Sequence, residues 1–179
     1  NSPERNVMTI EDPVEVRLPM VRQTQVNNEA GLTFATALRS ILRQDPDVVL
    51  VGEIRDKETA HIAVQAALTG HLVLSTLHTN DAPGAVARLR DFDVPPFAIS
   101  SALLGVLAQR LVRRVCPVCA QPARVDPEEL ALYGINEGLS VWLREGAGCS
   151  ACGGSGHRGR TGVYEMMRVS PALRALIAK

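Results

Sequence analysis

The sequence predicts an α/β protein in which helices cover a mostly parallel sheet, followed by a smaller loop- and helix-rich lobe. Up to about residue 114, short β-rich runs alternate with helical patterns, which is typical of a parallel sheet. From Cys116 onward prolines and glycines accumulate, and all four cysteines lie in two Cys-x-x-Cys pairs. We therefore expect a sheet domain over 1–114, a zinc-binding lobe over 115–165 and the start of a C-terminal helical segment over 166–179.

Composition excludes several classes of protein. Among 179 residues, 19 Lys and Arg balance 19 Asp and Glu, so no net charge attracts nucleic acid or an anionic membrane. Aromatic residues make up 3%, too few to stack single-stranded bases, whereas 46% hydrophobic residues suffice for a core. No apolar run approaches the roughly 20 residues of a membrane span, and no signal peptide is visible. We expect a soluble cytosolic protein, and a start at Asn1 rather than Met indicates a piece of a longer chain.

The first elements are expected to be strands. Residues 7–10 form a β-prone run that leads into the acidic pair Glu11 and Asp12. A second β-prone run over 16–21 contains Pro19, which cannot donate to a sheet. This second run is therefore an edge strand or an irregular excursion.

Helices and a buried strand follow in alternation. Thr33 has the position of an N-cap, and apolar residues repeat at helical spacing until Pro46 ends the helix. Residues 48–51 are four consecutive β-prone apolar residues, as in a central parallel strand buried on both faces. Asp56 is the expected cap of a helix over 57–69.

The remaining elements before the lobe are a strand and two helices. Gly70 has the position of a C-terminal helix glycine, and residues 71–77 read as the next strand. Asp81 opens a further helix, with a proline in its first turn. An apolar helix is then expected over 97–113.

The cysteine pairs predict a structural zinc site. Cys116, Cys119, Cys149 and Cys152 supply the four thiolates of a tetrahedral centre, with a short helix or hairpin between the pairs. Four thiolates leave no open position, which disfavours a catalytic zinc. The alternative is four thiols that bind no metal and are paired by coincidence.

Acidic and imidazole side chains follow three of the predicted strands. Glu11 and Asp12 follow the first, Glu53 follows the central strand, and His78 follows the strand over 71–77. Because the carboxyl ends of parallel strands share one sheet edge, these groups are expected to meet where ligands bind. One carboxylate there can polarise water, another can hold Mg²⁺, and an imidazole can contact a γ-phosphate. Alone, an acid after a buried strand equally well caps the next helix.

Two further observations restrict this interpretation. His71 opens its strand, where a structural hydrogen bond to the backbone is as good an explanation as catalysis. The 179 residues contain no Gly-x-x-x-x-Gly-Lys-Ser/Thr loop to cradle a β-phosphate. We therefore expect this chain alone to bind nucleotide poorly.

Three stretches closely resemble the secretion ATPases of type II secretion and type IV pilus assembly. Residues 9–15, 42–56 and 69–81 are similar to the Asp box, the Walker B box and the His box of that family, in that order. The tetracysteine lobe and the tail over 156–165 also match, so the resemblance covers almost the whole chain. It implies a RecA-like fold, Mg²⁺-dependent ATP hydrolysis and a ring of six subunits. In this family the phosphate loop precedes the Asp box, so we expect it upstream of this chain.

The resemblance also implies roles for single residues. Glu11 matches the carboxylate that activates the attacking water, and Glu53 matches the Walker B acid that organises Mg²⁺, with Asp12 on the same Mg-ATP side. His71 and His78 match the two imidazoles of the His box, and His78 is the better candidate for reaching the γ-phosphate. In many P-loop enzymes the place of Gly52 is taken by Asp, and glycine there is characteristic of this family.

The lobe and the segment over 85–112 resemble the type II secretion branch most. This implies a hexameric cytoplasmic ATPase, peripherally associated with the bacterial inner membrane, that powers pseudopilus assembly and protein export. Its implied partner is the cytoplasmic domain of an inner-membrane platform protein, and neither nucleic acid nor a membrane span is expected. Two alternatives remain, a type IV pilus assembly ATPase and, without any phosphate loop, a catalytically inert zinc module that mediates protein contacts.

Overall fold

The computed structural model describes residues 4–123, 126–132, 134 and 143–179. These residues form two compact units, one comprising the chain up to Ala108 together with Glu165–Lys179, the other Gln109–Tyr164. The domain division at 114 and 165 remains a prediction. No helix among the described residues is long and apolar enough to cross a bilayer.

Eight strands lie in the described part of the chain. They are β1 Val7–Glu11, β2 Arg22–Gln25, β3 Val48–Val51, β4 Leu72–Ser75, β5 Gly105–Val115, β6 Ala120–Pro122, β7 Arg144–Gly146 and β8 His157–Arg168. The first four form one sheet in the order β2-β1-β3-β4, and every neighbouring pair is parallel. The predicted α/β architecture with a parallel sheet is therefore confirmed, with β3 in its interior.

Six α-helices are present in the described residues. They are α1 Phe34–Leu42, α2 Lys57–Leu68, α3 Gly84–Asp91, α4 Pro96–Ala102, α5 Pro127–Leu132 and α6 Pro171–Ile177. Local polar groups start the first three as predicted. Thr33 Oγ1 accepts from Thr36 N at 3.2 Å, Asp56 Oδ1 accepts from Thr59 N at 2.8 Å, and Asp81 Oδ1 accepts from Gly84 N at 2.7 Å.

The core lies between the parallel sheet and its helices. Ile10 of β1 and Val49 of β3 are completely buried, as is Leu38 of α1. Ile99 of α4 joins the same cluster with 1% of its surface exposed. This packing holds the strand ends, and hence the side chains that follow them, in one arrangement.

Of the two alternatives for the run over 16–21, the irregular excursion is confirmed, because Pro19 cannot donate to the ladder and Met20 adopts a φ of 60°, and the edge strand β2 begins only at residue 22. Another predicted element is wrong. The helix over 97–113 ends at Ala102, and β5 follows and pairs with β8. Pairing with a strand about fifty residues away overrides the local helical pattern.

The second unit combines loops with short strands and α5. β6 and β7 pair antiparallel with Gln121 opposite Glu145, and the part of β5 and β8 beyond Ala108 and before Glu165 belongs to the same unit. Cys116 N donates to Gly156 O at 2.9 Å, at the point where β5 ends and β8 begins. This bond places the two cysteine-bearing loops next to each other.

Candidate functional site

The carboxyl ends of β1, β3 and β4 bring the predicted acidic and imidazole residues to one sheet edge. Ile10 is in register with Val51, and Val51 with Ser75, so the three strands end at nearly the same level. The residues that follow therefore emerge side by side. Among them are Glu53 and His78, which lie 25 positions apart in sequence and meet at this edge.

Glu53 lies between an arginine and an imidazole. Its Oε2 forms an ion pair with Arg55 Nε and lies 3.2 Å from His78 Nε2. The Glu53 side chain is 12% exposed, whereas that of His78 is 81% exposed. The hydrogen bond from Arg55 lowers the pKa of Glu53 most, the hydrogen bond from His78 lowers it further, and loss of hydration opposes both. Glu53 is therefore an anion at neutral pH.

The backbone next to Glu53 is hydrogen-bonded to the ends of both neighbouring strands, β1 and β4. Gly52 N donates to Ile10 O at 2.7 Å, and Thr76 Oγ1 donates to Gly52 O at 2.7 Å. A Cβ atom at position 52 would lie 3.1 Å from Ile10 O and 3.4 Å from Glu11 Cα. This close approach favours glycine at the position before Glu53.

Glu11 and Asp12 occupy the same edge in different surroundings. Glu11 Oε1 accepts from Thr9 Oγ1 at 2.5 Å and from Gln23 Nε2 at 2.9 Å. Asp12 Oδ2 lies 4.0 Å from Arg55 Nη1, and its side chain is 36% exposed. Arg55 thus bridges the acid after β1 and the acid after β3.

His71 is not brought to this cluster. It precedes β4 and lies at the amino end of that strand, whereas His78 follows its carboxyl end. Its Nδ1 is 3.0 Å from Ala66 O and 3.2 Å from Thr69 Oγ1. These contacts agree with the alternative that His71 forms a structural hydrogen bond to the backbone. They connect the start of β4 to the end of α2.

Sequence reasoning missed two residues of the site. Arg55 follows Glu53 by two positions and could have been found as the nearest cation to the predicted Walker B acid. Gln23 carried no signal in the sequence, because only the parallel register of β2 on β1 places it beside Glu11.

The four cysteines converge in the second unit. All four sulfurs lie within 4.8 Å of one another. The Sγ atoms are 4.0 Å apart for Cys116 and Cys149, 3.9 Å for Cys119 and Cys152, and 3.8 Å for Cys149 and Cys152. These separations exceed the roughly 2.05 Å of a disulfide but suit a regular tetrahedron of thiolates around zinc, whose bonds are about 2.3 Å. The donor set therefore fits a closed structural zinc site.

Glycines and backbone donors shape the second cysteine loop. Gly153 adopts a φ of 59°, which lets the chain reverse directly after Cys152. Cys149 N donates to Cys152 Sγ at 3.3 Å, and this contact is the main reason that the pKa of Cys152 falls to about 6. Loss of hydration raises the pKa of Cys119 to about 12. A bound divalent cation would favour the thiolate form at all four positions.

Comparison with known proteins gives a consistent set of relatives. The family described as Type II/IV secretion system protein matches residues 1–179. Type II secretion system protein E of Pseudomonas aeruginosa is 56% identical over 177 residues, and type II secretion system ATPase E of Vibrio cholerae is 58% identical over 177 residues. Each match covers 99% of this chain but 35% of the relative, so the chain spans little more than a third of their length.

Relatives from pilus systems are also similar. The type IV pilus assembly ATPase PilB of Thermus thermophilus is 55% identical over 178 residues, covering 98% of this chain and 20% of PilB. The crystal structure of the pilus retraction motor PilT with bound ADP superposes with a TM-score of 0.68 at 31% identity, covering 97% of this chain and 41% of PilT. The Legionella pneumophila ATPase DotB, at 23% identity with a TM-score of 0.62 over 96% of this chain and 39% of DotB, shares the fold.

Proposed function

Because the chain belongs to the family of type II/IV secretion system proteins, we propose that it supplies the acidic and imidazole part of a Mg²⁺-dependent ATPase site. In the longer protein, a phosphate-binding loop outside these 179 residues would complete the site. The whole protein would couple ATP hydrolysis to pseudopilus assembly and protein export in type II secretion. The contacts of Glu53 with both His78 and Arg55, together with the approach of Asp12 to Arg55, at the carboxyl edge of the sheet are the observation that carries this proposal.

Each group has a role that suits its surroundings. Glu11, held by two donors on one oxygen, orients the attacking water and accepts its proton. Glu53 and Asp12 offer the oxygen ligands that Mg²⁺ prefers, and the bound ion would neutralise charge on the phosphate oxygens. The imidazole of His78, which is 81% exposed, would contact a γ-phosphate from its position beside Glu53. We assign His71 a structural role at the other end of β4.

The assembly and its location are part of the same proposal. We expect a ring of six copies at the cytoplasmic face of the bacterial inner membrane. The ring would be bound there to the cytoplasmic domain of a platform protein. The zinc lobe would serve as a rigid structural element, since four thiolates would close its metal site.

The test is a charge-removing substitution in the full-length protein. Glu53→Gln keeps the shape of the side chain but removes the charge that holds Mg²⁺ and pairs with Arg55. We expect ATP affinity within about threefold of wild type and a turnover reduced by about 100-fold or more. Glu58→Gln, which alters an exposed carboxylate paired with Arg39 on the helix surface, is the matched control.

Wild-type turnover in Glu53→Gln would contradict the role of this residue. A full-length protein that binds no ATP at all would instead favour the inert zinc module. The similarity to PilB at 55% identity keeps type IV pilus assembly as the second candidate function. Restoration of pilus extension, but not of protein export, in the corresponding deletion strains would decide for that alternative.

A further inference from the structure

Gln23 lies beside the proposed catalytic carboxylate because of the sheet register. β2 pairs parallel to β1 with Gln23 opposite Thr9. Side chains alternate along a strand, so Thr9 and Glu11 share one face of the sheet, and the partner of Thr9 shares it too. Both Thr9 and Gln23 reach Glu11 Oε1 from this face.

The Gln23 amide forms three hydrogen bonds. Its Nε2 donates to Glu11 Oε1 at 2.9 Å and to Val16 O at 3.0 Å, and its Oε1 accepts from Leu18 N at 2.7 Å. A backbone N–H can bind only the amide oxygen, and a carbonyl can bind only the NH₂ group. Val16 and Leu18 therefore fix the orientation of the amide and point its second N–H at Glu11.

The two backbone partners belong to residues 14–20, here called the 14–20 segment. Val16, Leu18 and Met20 of this segment are 49–65% exposed, and the segment contains no strand. Gln25 fastens the same segment, since its Oε1 accepts from Val14 N at 3.2 Å. Of the two glutamines, Gln23 is the one whose side chain also binds Glu11 in the described part of the chain.

Both donors to Glu11 bind the same oxygen. Thr9 and Gln23 hold Oε1, and among the described residues no hydrogen bond reaches Oε2. Among the described residues, Oε2 is thus the oxygen of Glu11 that is left to accept a proton from another molecule.

We infer that Gln23 is a positioning residue that selects Oε2 of Glu11 as the basic atom and makes its orientation depend on the 14–20 segment. The inference rests on the proposed role of Glu11 in ATP hydrolysis. Gln23 does not touch the reacting atoms. It acts through the Glu11 carboxylate, and the 14–20 segment acts through the Gln23 amide.

The experiment compares three variants of the full-length protein. Gln23→Leu removes all three hydrogen bonds. Gln23→Glu keeps an oxygen to accept from Leu18 N but replaces the donor to Glu11 with a second carboxylate. Gln25→Leu is the matched control, because Gln25 lies opposite Glu11 in the register but binds Val14 N, and its loss leaves both donors to Glu11 Oε1 in place. Each variant is measured by kcat, by KM for ATP and by hydrogen exchange of the Val14 and Leu18 amides.

A positioning role predicts a specific pattern. Both Gln23 variants should lower kcat by about 10- to 100-fold, with KM changed less than about threefold, since a misplaced base affects the chemical step rather than binding. The Leu18 amide should exchange faster in Gln23→Leu but stay protected in Gln23→Glu. Gln25→Leu should release only the Val14 amide and keep kcat within about threefold.

Three results would overturn the inference. The first is a kcat near the wild-type value in Gln23→Glu. The second is an equal loss in Gln25→Leu, which would show general loosening of β2. The third is a further loss when Gln23→Glu is added to Glu11→Gln, because a residue that acts through Glu11 has no effect once Glu11 is disabled.

The single Glu11→Gln variant separates this inference from the proposed function. If Glu11→Gln turns over ATP normally, the assigned role of Glu11 is wrong. If it is inactive while both Gln23 variants are active, only the positioning role is wrong. If Gln23→Leu does not fold, Gln23→Glu and Gln25→Leu still decide the question.

Discussion

Removing two of the four cysteine sulfurs should empty the proposed zinc site. In a regular tetrahedron with edges of about 3.9 Å, the centre lies about 2.4 Å from each corner, close to the Zn–S bond of about 2.3 Å. The Sγ–Sγ distances of 3.8, 3.9 and 4.0 Å match the edges of such a tetrahedron, and all four sulfurs lie within 4.8 Å of one another. The variant Cys119→Ser/Cys149→Ser removes one ligand from each pair.

The expected loss of zinc affinity follows from the contribution of each ligand to the binding free energy. Structural zinc binds peptide sites with about 10–16 kcal/mol at neutral pH, or roughly 3 kcal/mol for each of four ligands. Loss of two ligands then weakens binding by about 6 kcal/mol, a factor of about 10⁴ in affinity. We expect the full-length wild type to carry about one zinc per chain and the double variant almost none.

The assay is elemental analysis of metal per protein, with limited proteolysis of the same samples. Cleavage should become faster within 116–165, while the parallel sheet, whose core lies in the other unit, should resist as before. Ser150→Ala changes an exposed side chain in the same loop and is the matched control. Full metal content together with full protease resistance in the double variant would refute the tetrathiolate site.

Two further predictions concern the sheet domain and its acidic edge. Leu38→Ala should destabilise the full-length protein by about 2–5 kcal/mol in denaturant unfolding, because Leu38 is completely buried, whereas Leu176→Ala, at a side chain 63% exposed, should cost less than about 0.5 kcal/mol. Equal costs would contradict the assigned core. Arg55→Ala should reduce the acid sensitivity of the fold. Since Arg55 lowers the pKa of Glu53 below its ordinary 4.5, the pair stabilises the folded state above that pH and less as pH falls through the lowered pKa. The difference in melting temperature between wild type and Arg55→Ala should therefore shrink between pH 6 and pH 3, and a constant difference would contradict the ion pair.

Local signals predicted the elements that depend on local interactions. Thr33 and Asp56 cap their helices through hydrogen bonds three residues away, so the pattern that predicts the cap also contains its partner. The strand over 48–51 was predicted from its apolar composition alone. In contrast, the helix predicted over 97–113 was wrong beyond Ala102, because β5 is stabilised by the distant β8.

The features of the candidate site likewise fall into those that the sequence predicted and those that depend on contacts between distant residues. The rule that parallel strands end at a common edge was enough to predict that Glu53 and His78 meet. The rule says nothing about hydrogen bonds. The position of His71 at the amino end of β4 and the position of Arg55 between Glu53 and Asp12 could therefore be read only from the structure. The cysteine spacing predicted the ligand set, whereas the distances between sulfurs required the folded loops.

The amino-acid sequence by itself determined the order of β1, α1, β3, α2 and β4, the identity of the acidic and thiol groups, and the resemblance to secretion ATPases, since these depend on residue type and short spacing. Tertiary structure alone decided which oxygen of Glu11 is held, which cation pairs with Glu53 and where β5 replaces a helix. The physical reason is the register of strands distant in sequence. A shift of one residue would turn Gln23 to the other face of the sheet, and no local pattern encodes that register.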